Sequence, residues 1–98
     1  MRFVPNNDIM RSLLQPVLKR ELRILALQTR SKHELTQREM AEPLSLGVRS
    51  YSLIETGVTS CGALTAILLI LSQDDPLKFL DHLKGEIIAV MSDSKIKK

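Results

Sequence analysis

The side chains best suited to binding chemistry lie in one stretch of the chain, residues 36–56. Arg49 can donate two parallel hydrogen bonds to guanine O6 and N7, and Val48 can contact a thymine methyl group. Ser50 and Ser52 can donate hydrogen bonds to phosphates or to bases. These side chains are suited to recognising a charged partner through hydrogen bonds. They are not suited to making or breaking covalent bonds.

Groups that could serve catalysis or hold a metal are isolated from one another. Cys61 is the single cysteine, which excludes an internal disulfide and a cysteine-based zinc site. His33 and His82 stand alone and are expected at the surface. Asp74 and Asp75 are typical of a turn and a helix cap. The chain also lacks a phosphate loop, a His-Glu-x-x-His pair and a nucleophile elbow, so we expect no enzyme activity, no cofactor and no metal.

Composition indicates a folded protein with one mostly aliphatic core. The chain has 98 residues, of which 44% are hydrophobic and 26% charged, enough for a single domain. Its aromatic residues, Phe3, Tyr51 and Phe79, are too few for a surface that stacks single-stranded bases. The longest apolar run, residues 66–71, is too short to cross a membrane, and the chain begins with no signal-peptide pattern. We therefore expect a cytoplasmic protein that does not bind a membrane.

Charge is distributed unevenly along the chain. The net charge is +3, and the first 50 residues carry nine lysines and arginines against five acids. The remaining 48 residues carry five lysines against six acids. This asymmetry indicates either one surface that faces a polyanion or an ordinary solvated surface.

Apolar periodicity predicts helices joined by short polar breaks, and no strand pattern is present. The first helical stretch runs from Asp8 to about Arg30. Pro16 lies inside it, so we expect a short helix to Gln15, a break or kink, and then a longer helix. The polar residues 30–34 are expected to connect this stretch to the next helix.

The second and third helices carry clear start and stop signals. Thr36 and Glu39 have the spacing of a capping box, and Pro43 should end the second helix after seven or eight residues. A tight turn follows. The third helix is then expected over residues 48–56, with Gly57 as the residue that ends it.

Two further helices are predicted toward the C-terminus. Residues 62–72 are apolar on nearly every side, so part of this fourth helix should meet another chain or the C-terminal segment. The fifth helix begins with Asp75 as its cap and Pro76 at its first position, and Gly85 should break it. Residues 86–91 form a short apolar segment whose pattern is compatible with either a helix or a strand.

The spacing of the second and third helices is that of a helix-turn-helix, in which the later helix can enter a major groove. Residues 35–57 read LTQREMAEPLSLGVRSYSLIETG. Without a gap, they resemble the helix-turn-helix of the Xre/Cro/C1 repressor family, which has a Leu-Thr-Gln start and an Ile-Glu-x-Gly end. The order of five helices continues the resemblance to about Leu83.

The resemblance implies binding of double-stranded DNA by a transcriptional regulator, most simply a repressor. It implies base contacts by Val48, Arg49 and Leu53. It also implies phosphate contacts by Thr56 and by Gln37, which would brace the third helix as well. The full set of implied DNA-binding residues is Gln37, Arg38, Val48, Arg49, Ser50, Ser52, Leu53 and Thr56.

The resemblance implies structural roles for a second set of residues. Glu55 matches a glutamate that pairs with an arginine of the first helix, here Arg30 or Arg23. Arg30 and Lys32, like Arg38, also have the charge and position to contact phosphates. The structural set is Thr36, Glu39, Ala41, Tyr51, Ile54, Glu55 and Gly57.

The expected fold is all-α. The resemblance implies a five-helix, lambda-repressor-like DNA-binding domain with an N-terminal helical extension and a short C-terminal tail. Residues 1–84 would form the domain, with its motif at residues 35–57. Residues 85–98 would form a C-terminal segment with a basic tail.

The expected partners are double-stranded DNA and a second copy of the chain. The homodimer surface would use Leu64, Leu68 and Leu71 of the fourth helix, the fifth helix, and residues 87–91, because their apolar area exceeds what a small domain buries. One alternative is an antitoxin of the same fold that binds a toxin protein as well as an operator. Another is a protein-interaction module that has lost DNA binding, because the third helix lacks the Asn or Gln that reads adenine and has Leu53 where the family commonly has a polar residue.

Overall fold

Five α-helices make up the chain in a computed structural model, which describes residues 7–59 and 61–96, with side chains for residues 11–59 and 61–92. In chain order they are α1 (Asn7–Lys32), α2 (Gln37–Ala41), α3 (Val48–Glu55), α4 (Ala63–Leu71) and α5 (Pro76–Ile96). No strand occurs within these ranges, which confirms the all-α class. None of the described helices is long and apolar enough to cross a lipid bilayer.

α1 is one continuous helix of 26 residues, so of the break or kink predicted at Pro16 the break is wrong. A proline in a helix interior removes the hydrogen bond to the carbonyl four residues earlier, here that of Ser12. Ser12 and Pro16 are both exposed, so water can bond to this carbonyl in place of the missing amide. The helix also extends beyond Arg30 to Lys32, which shortens the polar connection.

α5 is likewise continuous over 21 residues, and the break predicted at Gly85 is wrong. Glycine costs only about 1 kcal/mol relative to alanine inside a helix, and the residues after it pack against α1. Residues 86–91 are helical, and the boundary predicted between residues 84 and 85 lies within this helix. The side chains of the predicted basic tail, and residues 97–98 altogether, lie outside the described part.

α1 and α5 pack against each other in antiparallel orientation. Three side-chain pairs establish this direction, each with an N–O distance of 2.8 Å. Glu21–His82 and Arg20–Glu86 join the two helices, and Lys32–Asp74 joins the end of α1 to the turn just before α5. The partner's number rises as the α1 number falls, so the two helices run in opposite directions.

The main core lies among the C-terminal half of α1 and helices α2 to α4. Its buried members are Leu25, Ala26, Met40, Ala41, Leu44, Tyr51 and Leu69. Leu35 and Leu68 are among the half-buried side chains packed against it. Leu68, predicted for a dimer surface, therefore contributes to the packing of its own chain.

The segment from α2 to α3 has the cap and the turn that the sequence predicts. Thr36 Oγ1 accepts a hydrogen bond from the Glu39 amide at 3.1 Å, and the Glu39 carboxylate accepts one from the Thr36 amide at 2.8 Å. α2 ends after five residues, not the predicted seven or eight, and the chain continues as a single 3-10 turn, Glu42–Leu44, which accommodates Pro43 in its first residues. Ser45 then adopts a left-handed conformation, with φ of 58°, and directs the chain into α3.

α3 ends with a glycine cap. The Val58 amide donates to the Leu53 carbonyl at 3.0 Å, and the Gly57 amide donates to the Ile54 carbonyl at 3.1 Å. Gly57 has φ of 79°, a conformation that residues with a Cβ rarely adopt. At the start of α5, Asp75 Oδ1 accepts from the Lys78 amide at 3.2 Å, which is the cap predicted there.

Candidate nucleic-acid interface

α2 and α3 pack against each other and α3 packs against α1, while the outer face of α3 remains in solvent. Tyr51, Ile54 and Glu55 are buried on the inner face. Arg49 and Leu53 are exposed on the outer face. We call residues 36–57 the α2–α3 corner; in it, α3 is anchored by one face and accessible on the other.

Glu55 is the centre of a polar network that joins α3 to α1 and α2. Arg30 donates to its carboxylate from Nε at 2.5 Å and from a terminal nitrogen at 3.1 Å. Gln37 Nε2 donates to the same carboxylate at 3.0 Å. Arg23 Nε donates instead to the Glu55 carbonyl oxygen at 2.7 Å. The two arginines that the sequence left as alternatives thus both contact Glu55, one at its side chain and one at its main chain.

The ionisation of this network is stable at neutral pH. Burial raises the pKa of the Glu55 carboxyl, but hydrogen bonds from Arg30 and Gln37 outweigh burial, so the pKa lies below its ordinary value. The hydrogen bond to Glu55 raises the pKa of the Arg30 guanidinium. Burial also raises the pKa of Tyr51, whose hydroxyl has no hydrogen-bond partner among the described residues. Glu55 and Arg30 therefore remain a charged pair.

The residues predicted to contact DNA fall into two groups by exposure. The exposed group is Arg38, Val48, Arg49, Ser50, Leu53 and Thr56. Gln37 and Ser52 are half-buried. The Thr56 hydroxyl donates back to the α3 carbonyls of Ser52 at 3.1 Å and Leu53 at 3.2 Å. Its oxygen lone pairs remain available, while its proton is used within the helix.

The cations predicted at phosphates differ in what they already bind. Arg30 pairs with Glu55, and Lys32 pairs with Asp74 at 2.8 Å. Arg38 and Arg49 are exposed and take part in none of the ion pairs within the described residues. These two arginines are the cations of the corner whose charge is not neutralised by a described side chain.

Several of the residues predicted to be structural are buried, and one has the backbone conformation that favours its residue type. Ala41, Tyr51 and Ile54 are buried, and Ala41 lies where α2 approaches the core. A Cβ at Gly57 would meet only the Arg23 side chain, at 3.5 Å, so the positive φ and not lack of space favours glycine there.

Away from the corner, an open groove of about 750 Å³ lies between α1 and α5. Glu21, only 6% exposed, lies in it and accepts from Arg20 Nε at 2.9 Å. His82 Nε2 is 2.8 Å from the other carboxylate oxygen. Burial raises the pKa of Glu21, but the hydrogen bonds from Arg20 and His82 outweigh it and lower the pKa.

Sequence reasoning missed this pair. His82 lies 61 residues from Glu21, and neither residue has a local signal that marks the other. Only the antiparallel packing of two long helices brings them together. Within the described residues, no group of three or more His, Cys, Asp or Glu side chains is placed to hold a metal ion.

Comparisons of the chain with protein-family models, with curated proteins and with solved structures find no match. Its function is therefore inferred from its own residues. The relevant features are the motif at residues 35–57 and the anchored, outward-facing helix that this motif forms.

Proposed function

We propose that the chain is a helix-turn-helix protein of the lambda-repressor type that binds specific sequences of double-stranded DNA and regulates transcription. The observation that carries this proposal is the position of Arg49. This residue is exposed, it forms no ion pair within the described residues, and it is the second residue of a helix whose opposite face is locked to α1 and α2.

α3 has the dimensions for a major groove. With its side chains an α-helix is about 10–12 Å in diameter, and the major groove of B-DNA, about 12 Å wide, admits it. In a helix-turn-helix, residues near the start of the recognition helix contact base edges, which is where Arg49 lies. Because Glu55 holds α3 in place, little conformational freedom is lost on binding.

Arg38 supports the same orientation. It is exposed in the first turn of α2, the helix that crosses the phosphate backbone in this mode of binding. A cation there attracts phosphate without reading sequence. Arg38 would therefore set the position of the protein on the duplex, and Arg49 would read a base pair.

Selection from a random duplex library, with the wild-type chain and Arg49→Ala in parallel, tests this function. We expect wild type to enrich a motif that contains a G·C pair, and Arg49→Ala to lose discrimination at that pair, worth about 1–3 kcal/mol. Arg11→Ala is the matched control, because it removes the same charge from an exposed position on α1. Wild type that enriches no motif would contradict the proposal.

We further propose that the chain acts as a homodimer through an apolar face of α4 and α5. The face consists of side chains that are between 43% and 74% exposed: Leu64, Ile67, Leu71, Leu77, Leu80 and Ile88. A single short helix reads few base pairs, so a second copy would supply the second half of the operator. In sedimentation equilibrium, a mass of two chains that falls on dilution supports the dimer, and a single-chain mass at every concentration contradicts it.

The same face also favours a second candidate function. A toxin or another protein could cover it in place of a second copy, as in an antitoxin or a protein-interaction module. The library selection separates the interaction module from the two DNA-binding functions, and co-purification of a stoichiometric protein partner would favour the antitoxin. An antitoxin would still bind DNA, whereas an interaction module would bind it weakly, without sequence preference and without a steep dependence on salt.

A further inference from the structure

Two branched aliphatic side chains lie on the solvent-facing side of α3, beside Arg49. Val48 is 37% exposed and Leu53 is 36% exposed, while Tyr51 and Ile54 supply the buried apolar contacts of this helix. At about 100° per residue, Arg49 and Ser52 lie between Val48 and Leu53 around the helix axis. The outer face is thus a cation and a hydroxyl flanked by two apolar groups.

The base chemistry available to this face is narrow. It has no Asn or Gln to form the paired hydrogen bonds to adenine N6 and N7, and the one acid of α3, Glu55, lies on the inner face in the ion pair with Arg30. Arg49 suits guanine. The apolar groups that bases present in the major groove are the thymine methyls. The two exposed aliphatic side chains can therefore contact thymine methyl groups, and they cannot form hydrogen bonds to any base.

Leu53 is also held in place. Its carbonyl accepts from the amides of Val58 at 3.0 Å and Thr59 at 3.2 Å, and from the Thr56 hydroxyl at 3.2 Å. These bonds order the backbone at the end of α3, where helices otherwise fray. A side chain on an ordered backbone can discriminate by shape, because the backbone that carries it does not have to be ordered on binding.

Resting on the proposed DNA binding, we infer that Val48 and Leu53 read thymine methyl groups on either side of the guanine read by Arg49. The two side chains are five residues apart, about 7.5 Å along the helix axis, which corresponds to about two base-pair steps. The contacted half-site is therefore a guanine with thymines within about three base pairs of it, on either strand.

Replacement of single thymines by uracil in the selected duplex tests this inference. Uracil pairs with adenine as thymine does and lacks only the methyl group. At thymines close to the Arg49-dependent guanine, we expect the dissociation constant of wild type to rise about fourfold per methyl, the effect of removing one buried carbon. Val48→Ala should abolish the rise at one such thymine, and Leu53→Ala should abolish it at another.

Leu18→Ala is the matched control, since Leu18 is a leucine on α1 that is 37% exposed, close to the 36% of Leu53 on α3. It should leave every uracil effect unchanged. If wild type keeps its Arg49-dependent motif but binds all uracil duplexes as tightly as the parent, the inference fails and the DNA-binding function stands. A uracil effect that persists in both alanine variants would also overturn it, because the methyl would then act through DNA shape. If wild type selects no motif, the function itself fails.

Discussion

The α2–α3 corner and the apolar face of α4 and α5 differ in how far contacts within the chain itself meet their needs: hydrogen bonds for the polar groups of the corner, and burial for the leucines of the face. In the corner, the Glu55 carboxylate has three hydrogen bonds, from Arg30 and Gln37, and the exposed side chains include two arginines. On the other face, Leu64, Leu71 and Leu77 are each more than 60% exposed.

This difference indicates two kinds of contact. The corner keeps its shape without a partner and presents cations and hydroxyls to water, which suits a partner that is itself charged and hydrated. The apolar face gains free energy only when something removes it from water. A single small chain thus contains a preformed polar surface and an uncovered apolar one.

The largest expected effect sharpens the contrast within α4. Leu69 is 1% exposed and Leu64 is 69% exposed on the same helix. Leu69→Ala should lower the free energy of unfolding by about 2–5 kcal/mol, because it leaves a cavity in the core. Leu64→Ala should change it by less than about 0.5 kcal/mol in dilute solution. Urea titration measures both. A comparable loss for Leu64→Ala would mean that this face is already covered in the folded state.

The second-largest expected effect concerns the Glu55 network of the α2–α3 corner. Glu55→Ala should lower the free energy of unfolding by about 2–3 kcal/mol, since it leaves Arg30 and Gln37 without their acceptor. DNA affinity should fall with it, because α3 loses its fixed position. Asp74→Asn is the control, as it breaks an ion pair whose carboxylate is 84% exposed, and no change in thermal stability is expected. Equal destabilisation by the two variants would show that the Glu55 network is no more important than a surface pair.

The smallest effect is a dependence on pH at the α1–α5 contact. The pKa of Glu21 is lower in the folded protein than in the unfolded chain, so the unfolded chain binds more protons, and the free energy of unfolding falls as the pH drops below about 4.5. Glu21→Gln should flatten this decline, and Glu34→Gln, at an exposed position after α1, should not. Urea titrations between pH 6 and pH 3 measure the slopes; identical slopes for Glu21→Gln and wild type would refute this account.

Local signals predicted the corner better than the long helices. The capping box at Thr36, the glycine cap at Gly57 and the cap at Asp75 all depend on residues within a few positions of each other, and each is present in the structure. Pro16 and Gly85 are local break signals too, yet both lie inside continuous helices. At Gly85 the antiparallel packing of α5 on α1 outweighs propensity, and no short window of sequence contains that contact. At Pro16 water can bond to the exposed Ser12 carbonyl in place of the missing amide.

The candidate site was predictable in part for the same reason. The spacing of residues 35–57 places Arg49 outward and Tyr51 inward on α3 without knowledge of the rest. It does not reveal which cations remain unpaired, because Arg30 finds Glu55 across 25 residues and Lys32 finds Asp74 across 42. Among the cations predicted at phosphates, those two pairings leave Arg38 as the one without an ion pair in the described part, and Arg49 on α3 has none either.

The antiparallel pair of α1 and α5 also imposes an order on events during synthesis. The ribosome adds about 5–20 residues per second, so the 61 residues that separate Glu21 from His82 take roughly 3–12 s to make. The 25 residues between Arg30 and Glu55 take roughly 1–5 s. The nascent chain can therefore complete the corner around α3 while the side of α1 that α5 will cover is still in contact with water. During that interval, this uncovered side of α1 is accessible to other molecules as well as to water.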